Sequence, residues 1–242
     1  MKALSTQQLL AVWEQSDSQR PMKRGLALLA AAESELPIET LASLTIGERD
    51  RRLLTLREWA FGSRLASRTA CPQCSEQVEL ELSISDIRSQ SPQLPQPLTL
   101  QVEGYDITFR LINSADLELL REDMELAQAT KMLIERCVLN VVHNGMSSCA
   151  KEIPEHILER LDKQLEEADT DANIQLHLQC PACGHGWAEI FDVVQFFWRE
   201  IQVWAVRLIR EVHTLASAYG WRETDILTMS PLRRRLYLGM QT

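Results

Sequence analysis

Four of the six cysteines fall into two matched pairs, Cys71-Pro72-Gln73-Cys74 and Cys180-Pro181-Ala182-Cys183. A C-x-x-C turn points two thiolates into one small volume. Two such turns can close a tetrahedral four-thiolate shell, with sulfurs about 2.3 Å from a zinc ion. Gly184 follows the second pair and suits a tight backbone turn beneath a metal, whereas Ser75 takes that place after the first. The spacing predicts one structural zinc site with Cys71, Cys74, Cys180 and Cys183 as ligands. With four protein ligands no position stays open for a substrate, so the metal is expected to be structural rather than catalytic. Zinc is the usual structural choice, although the residues alone do not separate it from iron. Two other readings stay open. One is a thioredoxin-like dithiol, which would need one pair in a βαβ setting that neither pair has; the other is two unlinked reduced pairs.

The other two cysteines stand alone. Cys137 lies in an apolar, helix-like stretch and reads as a buried structural cysteine, and Cys149 sits in a Ser-rich turn with no assigned role. His185 could replace a cysteine or donate to a sulfur, but reads more simply as a turn residue at a ribbon tip. With only 9 glycines, the chain has no Gly-rich phosphate loop, and no local hydrolase or metalloprotease motif occurs.

The elements that must position the two pairs follow from local pattern. Alternating residues Val78 to Leu82 follow the first pair and Ile174 to Leu178 precede the second, so each pair is expected at the tip of a strand-like ribbon half. Upstream, residues 6–14 and 22–34 read as helices. Thr45 with Glu48 has the form of a capping box opening a helix that closes at Gly62. Pro92, Pro95 and Pro97 mark a loop, and Leu98 to Val102 with Tyr105 to Leu111 flank Glu103-Gly104 as a hairpin. Ser114 to Leu117 opens a helix expected to continue from Ala127 to Val142. A further helix starts at Pro154 and runs into Glu166 to Asp169, read as a solvated helix end.

The last fifty residues are the most hydrophobic. Val194, Trp198, Ile201, Ala205, Leu208, Val212, Leu215 and Tyr219 recur in steps of four and three on one long helix, widened by Phe197 and Trp204. The favoured reading is a core helix packed on the N-terminal helices. The alternative is a docking face for another protein, with Trp198, Ile201, Trp204 and Leu208 as contact residues. Ser230-Pro231 reads as the N-cap and first residue of a final helix, with Leu232, Leu236 and Tyr237 turned inward. Its run Arg233, Arg234 and Arg235 is a second candidate contact, for a partner or for phosphate.

Composition bounds these readings. A 242-residue chain with 45% hydrophobic and 24% charged residues is an ordinary globular sequence, not a disordered or fibrous one. A net charge of -9 disfavours general nucleic-acid binding, which depends on neutralising phosphates. The first residues lack the apolar stretch of a signal peptide, and the most apolar run is shorter than a membrane span. The expectation is a cytoplasmic protein with no membrane partner. The fold class expected is α+β and predominantly helical: a split zinc-ribbon-like β element, an inserted helical and hairpin segment, and a long C-terminal amphipathic helix. The organisation expected is a helical region over 1–70, a first knuckle and strand over 71–90, an insert over 91–172, a second knuckle over 173–190 and a helical region over 191–242.

Thr45-Ile46-Gly47-Glu48-Arg49-Asp50, followed by Leu53-Leu54, Leu56-Arg57, Phe61-Gly62 and Cys71-Pro72-Gln73-Cys74, resembles the baseplate hub assembly protein family of T-even-like phages. In that family a G-[DE]-R helix ending near a glycine precedes a C-P-x-C knuckle and an alternating strand. Tyr219-Gly220-Trp221, Ile226-Leu227 and Arg233 to Leu238 resemble a module of small proteins from phage tail clusters, tail assembly chaperones and their relatives in phage-derived contractile injection systems among them. The resemblance implies non-enzymatic work: assembling, or forming part of, the central hub of a contractile-tail baseplate, with hub or spike proteins as partners. It leaves open whether the protein stays in the finished particle. The competing readings are a zinc-ribbon nucleic-acid binder, with Arg233 to Arg235 as its footprint, and an enzyme with a scattered triad.

Overall fold

The computed structural model describes residues 1–88, 96–121 and 123–240. Four helices lead the chain: α1 (Thr6–Ser16), α2 (Pro21–Ala32), α3 (Ile38–Ala42) and α4 (Ile46–Phe61). Strands β1 (Arg64–Ala70) and β2 (Gln77–Ser83) follow, then the single turn α5 (Ile84–Ile87). Next come β3 (Leu98–Val102), β4 (Tyr105–Phe109), α6 (Ser114–Leu117), α7 (Leu126–Cys137), β5 (Val138–His143) and β6 (Met146–Ser148). The chain continues through α8 (Glu155–Ala168), β7 (Gln175–Gln179), β8 (Gly186–Ile190), α9 (Val193–Tyr219), α10 (Glu223–Thr228) and α11 (Pro231–Gly239). The fold is mixed α+β with small antiparallel sheets. Pro97 lies among the described residues, and Pro92 and Pro95 lie outside them.

Two compact units form. The first gathers Met1–Pro37, Leu53–Gly62 and Asp192–Thr242; the second gathers Ile38–Arg52 and Ser63–Phe191.

The first unit is helical and is organised by α9. Asp192 caps it by accepting from the Gln195 N–H at 2.9 Å, and Gly220 ends it in the left-handed region at φ 67°. Along one stripe Val194, Trp198, Ile201, Ala205, Leu208 and Leu215 are buried, with Phe197 beside them. Leu10, Ala205, Leu208 and Leu227 form one cluster flanked by Trp13, Trp204 and Val212. A Cβ on Gly25 of α2 would stand 3.2 Å from Val194 Cγ2 and 3.4 Å from Leu53 Cδ1, so a glycine is what lets these helices approach. Arg57 is buried here. Its Nε and Nη2 donate to Glu200 at 2.8 and 2.6 Å, and its Nη1 donates to the Gly62 carbonyl.

Helix α11 corrects the expectation from sequence. Leu232 and Leu236 face solvent, Tyr237 is half-buried, and the buried residue is Arg234. Its Nε donates to Glu211 at 3.1 Å and its Nη1 to the Met229 carbonyl at 2.7 Å. Those two bonds seat the helix together with Tyr237, whose ring meets Tyr219 and Trp221 edge-on at 5.9 and 4.8 Å.

In the second unit β3, β4, β5 and β6 form a four-stranded antiparallel meander. Ile107, Phe109 and Val141 of the sheet pack against Ile134 and Cys137 of α7 and Ile157, Leu161 and Leu165 of α8. The helix expected to reach Val142 stops at Cys137, and the β-branched stretch beyond it is strand β5. Asn144 and Gly145, both at positive φ, turn β5 into β6, as Asn-Gly turns do in tight hairpins. The helix opened at Ser114 is one turn long, capped by Asn113. At that turn Asp116 is fully enclosed. Burial opposes its ionisation, but Arg110, the Asn113 N–H and Arg136 outweigh it and hold the carboxyl below its usual range.

The acidic run Glu166 to Asp169 also differs from expectation. Glu166 and Glu167 are exposed, but Asp169 turns inward and accepts from the Gly47 N–H at 3.0 Å, at the start of α4. Asp171 is buried beside it and pairs with Arg51. A Cβ on Gly47 would lie 1.9 Å from Asp169 Oδ1. This close approach gives the glycine of the Gly47-Glu48-Arg49-Asp50 motif its physical reason. Arg49 and Asp50 are buried and pair at 2.7 Å, with Arg49 also reaching Ser114.

Candidate metal centre

The centre is built from two hairpins of the second unit. β1 pairs with β2 from Arg64↔Ser83 to Ala70↔Gln77, which leaves residues 71–76 as the connecting loop. β7 pairs with β8 from Gln175↔Ile190 to Gln179↔Gly186, which leaves residues 180–185. The two loops share one backbone design. The Cys71 N–H donates to the Glu76 carbonyl at 2.9 Å and the Ser75 N–H to the Cys71 carbonyl at 2.8 Å. In the second loop Cys180 donates to His185 at 2.9 Å and Gly184 to Cys180 at 3.0 Å. The fifth residue of each turn is left-handed, Ser75 at φ 61° and Gly184 at φ 75°.

These turns bring all four predicted thiols together. The four Sγ atoms lie within 4.8 Å of one another. Cys71 and Cys183 approach to 3.7 Å, and Cys74 and Cys180 to 3.6 Å. Both separations are far beyond a disulfide bond of about 2.05 Å. Four sulfurs about 2.3 Å from a central zinc at tetrahedral angles would lie about 3.8 Å apart, so the donor set fits a soft four-coordinate cation. The first cysteine of each loop is buried and the second exposed. The thiols also divide electrostatically. The Cys180 thiol is drawn down to about 7, chiefly by the Cys183 backbone N–H against the opposing effect of burial. At Cys74 the Glu76 backbone N–H works to lower the thiol, but hydrogen bonds from the neighbouring cysteines and burial together push it up to about 12. Crowded thiolates cannot all ionise without a cation to compensate them.

The other sequence candidates fall elsewhere. His185 contributes its carbonyl to the turn, and its ring lies parallel to Trp187 with centroids 6.2 Å apart. Cys137 is buried in the sheet core, where burial pushes its thiol up to about 11. Arg64 and Arg68, the basic residues nearest the first knuckle, pair with Glu81 and Glu79 at 2.7 Å. Trp198, Ile201 and Leu208 are buried within the first unit, and Trp204 is half-buried. Of the arginine run, Arg233 and Arg235 are exposed and Arg234 is enclosed. The residues missed from sequence are Asp169 and Asp171, whose partners Gly47 and Arg51 lie 122 and 120 residues away.

Comparison with known families decides the identity. Residues 6–198 match the family described as T4 bacteriophage base plate protein. This chain belongs to that family. The match spans α1 through the opening turns of α9, and so contains both cysteine hairpins and the Gly47 motif. No curated protein and no solved structure matches the chain. As a baseplate-family protein it is expected to contact other baseplate proteins. Among the described residues, no helix is long and apolar enough to cross a membrane.

Proposed function

We propose that this baseplate-family protein is a non-enzymatic component or assembly factor of the baseplate hub, in a phage-like contractile tail or injection system. The family match over residues 6–198 is the observation that carries the reading. In this reading Cys71, Cys74, Cys180 and Cys183 hold one structural zinc ion in a split zinc ribbon. A four-thiolate shell leaves no open coordination position, which suits a staple rather than a catalyst. Zinc would join two hairpins whose cysteines are separated by more than a hundred residues, and so fix the fold of the second unit. The partners proposed are hub or spike proteins. Exposed Arg233 and Arg235 are the arginines of the C-terminal run available to them, while the buried stripe of α9 serves the protein's own core.

The test is affinity purification of the tagged protein from a producing cell, with mass spectrometry of bound proteins and of purified particles. Recovery of hub or spike proteins is expected. Presence in the finished particle identifies a structural component, and absence an assembly chaperone. Recovery of RNA polymerase or ribosomal proteins, with no tail protein, would overturn the reading and favour nucleic-acid work.

A further inference from the structure

The net charge of -9 is unevenly held. The first unit has 12 Lys and Arg against 10 Asp and Glu, a net of +2, and the second has 13 against 24, a net of -11. Each unit also exposes an apolar helix surface, and the two surfaces carry opposite charge.

On the first unit the surface is α11. Leu232 and Leu236 of α11 and Met240 at its C-terminal cap recur every four residues and are 62%, 58% and 70% exposed. Residues at this spacing share one helix face. Exposed Arg233 and Arg235 flank them. The outward stripe is built in, because Arg234 anchors the opposite face to Glu211 and Met229, and Ser230 caps the helix by accepting from the Arg233 N–H.

On the second unit a groove of about 630 Å³ runs between α7 and α8. Ile134 and Leu158 form its buried floor, and Leu126, 83% exposed, stands at its lip. Glu155, Glu159 and Asp162 line its rim, and among the described lining residues Lys131 is the one cation. Burial, together with the nearby Glu166, raises the Asp162 carboxyl. A guanidinium placed beside these three carboxylates would pair with them.

We propose that α11 of one copy docks into the α7–α8 groove of a second copy, with Leu232, Leu236 and Met240 entering the groove and Arg233 and Arg235 meeting Glu155, Glu159 and Asp162. Apolar anchors at i, i+4 and i+8 in a groove are the usual form of helix-in-groove recognition. The occupant is a second copy because the helix and the groove match each other in both apolar character and charge sign. The contact joins two different surfaces, so it closes either as a reciprocal two-fold dimer or as a head-to-tail ring or open chain. This inference does not depend on the baseplate role.

Sedimentation velocity of the full chain over a wide concentration range tests it. Association that weakens in high salt is expected. The Arg233→Glu/Arg235→Glu and Glu155→Arg/Glu159→Arg variants should each raise the apparent dissociation constant by about tenfold or more, because each sets like charges against each other. Circular dichroism should show both variants folded, since all four side chains are exposed. Mixing the two variants restores opposite signs at every contact and should restore association. A chain that stays monomeric, association unchanged in either variant, or a mixture that remains monomeric would each overturn the proposal.

Discussion

The first unit buries a continuous apolar stripe on a helix of 27 residues, and the second is assembled from strands of 3 to 7 residues and short helices. Their means of support differ accordingly. Trp198, Phe197, Ile201 and Leu208 are large side chains withdrawn from water along one rigid element, each worth about 1.5–3 kcal/mol of transfer free energy. The second unit has its own core around its meander, and its outlying pieces are also joined by polar contacts: Asp116 with two arginines, Asp169 against Gly47, Asp171 with Arg51, and the gathered thiols. Both units bury apolar side chains and polar links; the first strings them along one long helix, and the second spreads them over many short elements.

The contrast recurs inside the centre itself. The first hairpin carries buried Leu65 and Val78 and leads into buried Ile84 and Ile87. The second has no buried side chain in either strand. Two-stranded hairpins are marginal in water by themselves, so the second depends more heavily on its thiols.

Cys180→Ser gives the largest expected effect. A structural zinc contributes on the order of 10 kcal/mol in small peptides, so under the proposed zinc site this variant should lose hydrogen-exchange protection from β7 and β8 first. The base of the β1–β2 hairpin should keep more protection, and α9 should keep its own. Uniform loss across both units would break the comparison. Arg57→Ala is next, at about 3 kcal/mol, because Glu200 and the Gly62 carbonyl lose a buried partner. Denaturant unfolding should show that loss while the metal content stays unchanged.

Gly47→Ala should cost about 1–3 kcal/mol, because the new methyl would overlap the Asp169 carboxylate. The companion Gly47→Ala/Asp169→Ala should recover part of it, and a double-mutant cycle reads the coupling. The smallest effects separate the two turns. Gly184→Ala should cost about 1–2 kcal/mol from backbone conformation alone, since nothing lies within 4 Å of the added Cβ. Ser75→Gly should gain about 0.5–1 kcal/mol, since it relieves the same left-handed strain. A loss at Gly184 and a gain at Ser75 are what a shared left-handed turn predicts; a change of the same sign at both sites would contradict that design.

The cysteine hairpins were legible because their signals are local. Two residues between cysteines and alternating flanks specify each turn and strand without reference to the rest of the chain. The capping of α4 by Thr45 and its end at Gly62 were legible for the same reason. The reach of Asp169 to Gly47 was not, since it joins segments 122 residues apart and Asp169 sits at the end of a run of solvated acids. At Cys137 the apolar spacing suits helix and strand alike, so only the downstream Asn144-Gly145 turn marked the change to β5. In α11 the hydrophobic pattern pointed the wrong way because an arginine, satisfied by Glu211 and a carbonyl, occupies the buried position.

The most direct test of the central claim is the metal content of the purified full-length chain, measured by inductively coupled plasma mass spectrometry beside Cys180→Ser. The account predicts about one zinc per chain in the natural protein and almost none in the variant, with the second hairpin losing its exchange protection. A folded natural chain that holds no metal, with both hairpins still protected, would contradict it.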